Sequence, residues 1–276
     1  MLTEVSRHVA SPDLLPDSDV SGADGNGLAI ETRGLRKAFG SHRVLSGVDL
    51  RIPEGTIAAI MGPSGTGKSV LIKHVLGLLK PDSGDVLVRG RSLGAMSRSE
   101  VIAMRRSIGV MFQDGALFSS MTVYDNVAFP LRQHTDYNDR EVRAIVTEHL
   151  EKVGLADAAG RYPNELSGGM RKRAGLARGL VLDPGIVLAD EPDSGLDPVR
   201  TSLLGRLLVK RHAELGGTML VITHNVILAK EVSDYVVLLW QGKVVASGSA
   251  QAMWRSTDPF VAQFLAGETV GPLGMD

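Results

Sequence analysis

Eight consecutive residues, Gly62-Pro63-Ser64-Gly65-Thr66-Gly67-Lys68-Ser69, have the types and spacing needed to wrap a polyphosphate. They match the P-loop pattern G-x-x-x-x-G-K-[ST] at every fixed position. The glycines let backbone N–H groups turn inward around anionic oxygens. Lys68 would then reach the β- and γ-phosphates, and the Ser69 hydroxyl would ligate Mg²⁺. A second run, Gly185-Ile186-Val187-Leu188-Ala189-Asp190-Glu191-Pro192, is apolar and ends in two acids. Asp190 would hold Mg²⁺ through water, and Glu191 would face an attacking water.

Such groups need rigid elements to hold them. The apolar run over residues 56–61 reads as a buried strand before the glycine loop. Residues 70–79, apolar at helical spacing and closed by Pro81, read as a helix behind it. The N-terminus of that helix adds partial positive charge. Residues 108–113 are another apolar strand with a polar end, Gln113. Strand patterns return at 186–189, 218–223, 235–239 and 243–246, the last two flanking the turn signal Gln241-Gly242. Asp190 ends its strand, which in a parallel sheet brings it near the P-loop. Residues 28–32 and 48–52 read as strands of an antiparallel edge sheet. From 114 to 182 the pattern is helical, at 123–131, 139–153 and 168–181, with Pro130, Gly154 and Pro163 as breaks. Residues 258–266 read as a C-terminal amphipathic helix.

The order of the remaining motifs narrows the class. Leu166-Ser167-Gly168-Gly169 precedes the Asp-Glu strand, Ser194-Gly195-Leu196-Asp197-Pro198 follows it, and a later strand ends in Thr223-His224. A P-loop, an LSGG loop, a strand ending in Asp-Glu, an SGLD loop and a strand ending in His resemble the ATP-binding cassette (ABC) ATPases over residues 28–264. The resemblance implies an α/β fold: a P-loop NTPase (RecA-like) core with an antiparallel β edge sheet and an inserted α-helical subdomain at about 114–183. The cassette then covers 28–250, behind a disordered tail at 1–27 and before a C-terminal helix and tail at 251–276. It implies two copies facing head to tail, with ATP and Mg²⁺ on one P-loop capped by Ser167, Gly168 and Gly169 of the other. Phe39 would stack on adenine, Gln113 would sense Mg²⁺ and water, and His224 would contact the γ-phosphate. Metal contacts fall to Ser69, Gln113 and Asp190, and Asp197 would couple the two sites. Taken by residue type alone, Phe39 is a partly buried strand residue, His224 a strand-end histidine with a satisfied ring, and Asp197 a helix N-cap before Pro198.

The fifth signature residue is Met170, where most of the superfamily has Gln; methionine keeps the backbone N–H contacts but not the amide's. With Arg171-Lys172-Arg173-Ala174 and the stretch Gly115-Ala116-Leu117-Phe118-Ser119-Ser120-Met121-Thr122-Val123, it is similar to the ATPases of Mla/Mce-type lipid transport systems, Mkl-like ones included. That resemblance implies an integral membrane permease, MCE-domain lipid carriers and a hydrophobic cargo. The cleft that receives the permease would include Ala116, Leu117, Phe118 and Met121.

Bulk properties fit. The chain has 276 residues, 43% of them apolar, enough for one large domain. Net charge is −1, which implies no general attraction to nucleic acid. There is no cysteine, so thiolate metal sites and disulfides are excluded. No apolar run approaches ~18 residues and no signal-peptide order opens the chain, so attachment at the cytoplasmic face of the membrane is expected through the permease. The competing readings are ABC ATPases acting on nucleic acid or the ribosome. Members of the first kind split their motifs with long heptad coils, absent here, and those of the second usually carry two cassettes per chain. A P-loop kinase has no use for LSGG and SGLD.

Overall fold

The computed structural model describes residues 27–113 and 115–273. The tail expected over residues 1–27 lies outside these except for Gly27. The chain divides into two units, one formed by residues up to Gly94 together with those from Ser233 onward, the other by Ala95–Val232.

The first unit begins with a long antiparallel hairpin, β1 (Leu28–Phe39) and β2 (His42–Pro53). Both strands outrun the segments expected from sequence. The apolar alternation breaks at Arg33-Gly34, but the backbone absorbs the break as an irregularity rather than an end. The register shifts between Thr32 and Leu35, Gly34 takes φ +56°, and its N–H donates to Asp49 Oδ1 at 2.7 Å. Strand β3 (Ile57–Met61) follows, buried throughout, and leads through the glycine loop into α1 (Lys68–Val75). Strands β4 (Ser83–Val88) and β5 (Arg91–Ser92) complete a four-stranded sheet in the order β2-β1-β4-β5.

The second unit opens with α2 (Arg98–Arg106), started by a reciprocal capping box between Ser97 and Glu100, and β6 (Ile108–Met111). Three helices follow: α3 (Val123–His134), α4 (Asp139–Lys152) and α5 (Gly168–Leu180). They share a core built from Val123, Val127, Leu131, Val142, Val146, Leu150, Ala174 and Ala177. Pro130 was expected to break the first of these helices; instead α3 runs through it to His134. A proline inside a helix costs about 3 kcal/mol. Burial of Val127, Ala128 and Leu131 around it, at about 1.5–3 kcal/mol for each large side chain, offsets that cost. Strand β7 (Ile186–Asp190), α6 (Pro198–Leu215), β8 (Thr218–Ile222) and α7 (Val226–Val232) complete the unit.

Strands β6, β7 and β8 pair in parallel. Their carboxyl ends therefore lie along one edge, where open α/β sheets bind ligands. Helix α5 approaches β6 backbone to backbone: a Cβ on Gly109 would lie 2.2 Å from Gly179 O and 2.7 Å from Pro184 Cγ. Gly109→Ala is accordingly expected to destabilise the protein by about 1–3 kcal/mol or more, read as a lower urea midpoint. An unchanged midpoint would mean that α5 lifts off β6 without cost.

The chain then returns to the first unit. Strand β9 (Tyr235–Trp240) pairs in parallel with β3, Ala58 opposite Tyr235. Asp234 pins the start of β3, accepting from Ile57 N at 2.9 Å while its own N–H donates to Ile57 O at 2.8 Å. Strand β10 (Lys243–Ser249) closes a hairpin on β9. Gln241 (φ +45°) and Gly242 (φ +73°) form its turn, both left-handed as a type I′ turn requires. Short α8 (Ala250–Trp254) and α9 (Pro259–Ala266) follow, the latter capped by Asp258.

Candidate functional site

The candidate residues fall on both units. In the first, the glycine loop leaves the buried end of β3. Gly62 has φ +154°, and a Cβ there would sit 2.2 Å from Leu239 O, so only glycine fits. Gly65 (φ +81°) and Gly67 (φ +99°) are left-handed, which turns the loop's N–H groups to one side. Thr66 Oγ1 closes the loop on Pro63 O at 2.9 Å. Lys68 is buried, and its Nζ donates to Gly62 O at 2.7 Å and Pro63 O at 2.8 Å. Ser64, Gly65 and Ser69 are exposed.

The start of α1 suits an anion. Its N-cap is Gly67, with no side-chain cap and no acid in the first turn. Helices α2 to α6 are all capped by a side-chain oxygen, from Ser97, Thr122, Asn138, Ser167 and Asp197. Gly67 itself therefore brings no side-chain oxygen to compete with a phosphate at the head of α1.

Phe39 ends β1 and is 48% exposed, so about half of the residue is accessible at the strand end. Lys37 Nζ lies 5.7 Å from its ring centroid and donates to Asp82 Oδ1 at 2.7 Å, while Asp82 Oδ2 accepts from Ala38 N at 2.7 Å. Those two contacts hold the Asp82 carboxyl below the usual carboxylate range, Lys37 contributing most. They also fix the strand end that presents Phe39.

In the second unit Gln113 and His224 lie in the loops after β6 and β8, while Asp190 ends β7 and Glu191 directly follows it. Glu191 takes φ +45°, a left-handed backbone that costs a non-glycine residue roughly 1–2 kcal/mol. Its N–H donates to Ile222 O at 2.9 Å, which ties it to β8. His224 Nδ1 lies 3.6 Å from Glu191 Oε1, ion-pair range rather than a hydrogen bond. Gln113 Nε2 donates to Ser194 Oγ at 3.0 Å.

Two side chains that lock these loops together were not singled out in the sequence. Buried Thr223 Oγ1 donates to buried Asp193 Oδ1 at 2.9 Å and accepts from Asn225 N at 2.9 Å. The loop holding His224 is thereby fixed to the loop holding Glu191. The available signal was position: Asp193 lies two residues past Glu191, and Thr223 directly precedes His224.

Ser167 caps α5, its Oγ accepting from Met170 N at 3.3 Å. Ser167 is exposed and its hydroxyl proton remains available to an anion at the same helix end. Met170 packs against the α3–α4–α5 core and, with Gly169, Leu196 and Leu203, lines a groove of about 400 Å³. Its apolar side chain does packing work where an amide would seek hydrogen bonds. Asp197 does cap α6, Oδ1 accepting from Arg200 N at 2.9 Å, with Pro198 as first helical residue.

Among the described residues no group of three or more His, Cys, Asp or Glu could hold a metal by itself. The donors named for Mg²⁺, a serine hydroxyl, an amide and a carboxylate, fit an ion that keeps several waters and arrives on nucleotide phosphates.

Comparison with known proteins gives a consistent set of matches. The family model for the ABC transporter domain matches residues 45–194. A probable ribonucleotide transport ATP-binding protein, Mkl of Mycobacterium leprae, is 50% identical over 257 residues, 92% of this chain and 74% of Mkl. The intermembrane phospholipid transport system ATP-binding protein MlaF of Escherichia coli is 41% identical over 244 residues, 88% of this chain and 91% of MlaF. Among solved structures, cbiO1 from Clostridium perfringens, part of the cbiONQ ABC transporter complex, superposes with a TM-score of 0.76 at 31% identity, covering 84% of this chain and 92% of that one. A dimeric ATP-binding cassette in a post-hydrolysis state, bound to ADP and Pi, superposes at 0.74 and 31% identity, covering 80% and 98%.

Proposed function

Since this chain belongs to the ABC transporter family as an ATP-hydrolysing, ATP-binding subunit, we propose that two copies of it energise lipid transport through a separate membrane permease. The observation that carries this reading is the match to MlaF, which extends over 91% of that protein and 88% of this chain. The P-loop of one copy holds the ATP phosphates through Gly62, Pro63, Ser64, Gly65, Thr66 and Gly67, with Lys68 against the β/γ-phosphates and Phe39 on the adenine. Ser167, Gly168 and Gly169 of the other copy cap the γ-phosphate at the head of α5. Ser69, Gln113 and Asp190 would hold Mg²⁺, which would supply neutralisation of the charge developing on the phosphates. Glu191 polarises the water, His224 contacts the γ-phosphate, and Asp197 couples the two sites.

Among the described residues no helix is long and apolar enough to cross a membrane, which supports placing the subunit at the cytoplasmic face through its permease. MCE-domain lipid carriers complete the proposed system. The name of Mkl favours a second cargo, a ribonucleotide. Reconstitution of the subunit with its permease separates the two: phospholipid should stimulate ATP turnover, and ribonucleotide should not.

Permease docking has a local structural basis. Phe118 is 43% exposed and rests on Phe129, ring centroids 4.9 Å apart. Buried Asn126 staples the loop that presents it. Its Oδ1 accepts from Phe118 N at 2.7 Å, and its Nδ2 donates to Phe118 O, Met121 O and Thr122 O. Ala116 is exposed and Met121 half-buried, whereas Leu117 packs against the helical core. Phe118→Asp should keep the fold and ATP binding and lose co-purification with the permease. A folded variant that co-purifies at wild-type yield would move the docking site elsewhere, and an unfolded one would assign Phe118 to packing.

A further inference from the structure

The signature helix carries a buried lysine that the roles above leave unused. Lys172 is 5% exposed and lies about 7.5 Å along α5 from Ser167, five residues at ~1.5 Å each. A buried ammonium is costly unless hydrogen-bonded. Its Nζ donates to the backbone carbonyl of Gln113 at 3.0 Å and to that of Glu191 at 3.3 Å.

These contacts belong to a closed ring. Gln113 accepts from Lys172 through its carbonyl and donates through its side chain to Ser194 Oγ at 3.0 Å. Ser194 N donates to Glu191 O at 3.1 Å, the same carbonyl that receives Lys172. The ring joins four segments: the signature helix, the loop after β6, the left-handed residue after β7, and the SGLD loop. Close backbone packing keeps the helix in register with the loop after β6. A Cβ on Gly175 would lie 2.8 Å from Gly115 Cα, so α5 cannot slide there without moving that loop.

We infer that Lys172 is a positioning residue for ATP hydrolysis: its ammonium holds the backbones of Gln113 and Glu191 in one arrangement with the helix that Ser167 opens. The inference rests on the proposed roles of Glu191 and Gln113. A charged donor shared by two carbonyls fixes the direction of the Glu191 peptide, and with it the aim of the Glu191 side chain. Both of these hydrogen bonds end on main-chain atoms, so through them Lys172 acts on geometry rather than on a reacting atom. The lysine also transmits position. A displacement of α5 at its Ser167 end shifts the donor that both carbonyls share.

The test is a double-mutant cycle on the purified protein, reading kcat and KM for ATP. Lys172→Met keeps an unbranched side chain one atom shorter and removes the donor; kcat should fall about 10- to 100-fold while KM stays within about threefold. Lys172→Arg, which retains charged donors, should recover turnover to within about fivefold of wild type. Ser194→Ala breaks the ring at a second point, and the double variant Lys172→Met with Ser194→Ala should lose less than the product of the single losses. Wild-type kcat in Lys172→Met, or losses that multiply, would overturn the inference. A thermal melt shows whether Lys172→Met folds; if it does not, Lys172→Gln takes its place in the same cycle with the same outcomes. Glu191→Gln is run alongside. An inactive Glu191→Gln beside an active Lys172→Met rejects only the positioning role, whereas an active Glu191→Gln rejects the site assignment itself.

Discussion

Glu191→Gln is expected to lower steady-state ATP turnover by about 10²- to 10⁴-fold while leaving ATP binding intact. The substitution keeps the shape of the side chain and removes its negative charge, so the left-handed backbone at this position and the hydrogen bond from Glu191 N to Ile222 O are retained. What is lost is the charged carboxylate that is proposed to polarise water and that faces His224 across 3.6 Å. The phosphate loop is untouched by the change, with Lys68 still held on Gly62 O and Pro63 O. Binding without hydrolysis should trap the ATP-bound pair of chains, so the variant should elute as a dimer when ATP is present and as a monomer when it is absent. A fluorescent ATP analogue measures the affinity, phosphate release measures the turnover, and size exclusion measures the trapping. Turnover near wild type would remove Glu191 from the water-activating role.

Much of this site was legible because its chemistry is local. The P-loop pattern lies on contiguous residues, and the apolar strand before it and helix after it appear where expected, as β3 and α1. The acids and the histidine were readable as polar ends of apolar strands, and β6, β7 and β8 do end at Gln113, Asp190 and His224 within two residues. Features that depend on through-space partners were not readable. Phe39 closes a strand only because Gly34 lets β1 continue past an irregularity that looks like an end in sequence. Pro130 signals a break, yet the packing of Val127 and Leu131 carries α3 across it. Lys172 reads as one of three consecutive basic residues, Arg171-Lys172-Arg173. Its burial follows from helical phase, since Gly175, Leu176 and Leu180 lie three, four and eight residues further along the same face. The two carbonyls that its ammonium meets at Gln113 and Glu191 are 59 and 19 residues away in the chain, beyond the reach of any local pattern.

The shared use of two chains is tested most directly by mixing two inactive variants. Lys68→Ala removes the phosphate-loop cation, and Ser167→Arg blocks the head of α5 with a bulky side chain. Each variant alone places its defect in both sites of a pair. If the phosphate loop of one copy works with the signature helix of the other, a mixed pair concentrates both defects in one site and leaves the second site whole. A one-to-one mixture, half of it mixed pairs, should then regain about a quarter of wild-type turnover per chain when the two sites act independently. If each phosphate loop worked with its own signature helix, both sites of a mixed pair would carry one defect. The measurement is phosphate release from the mixture, with mixed pairs isolated through two different affinity tags. Recovery well above either parent is the expected result; isolated mixed pairs no more active than the parents would contradict the two-copy site.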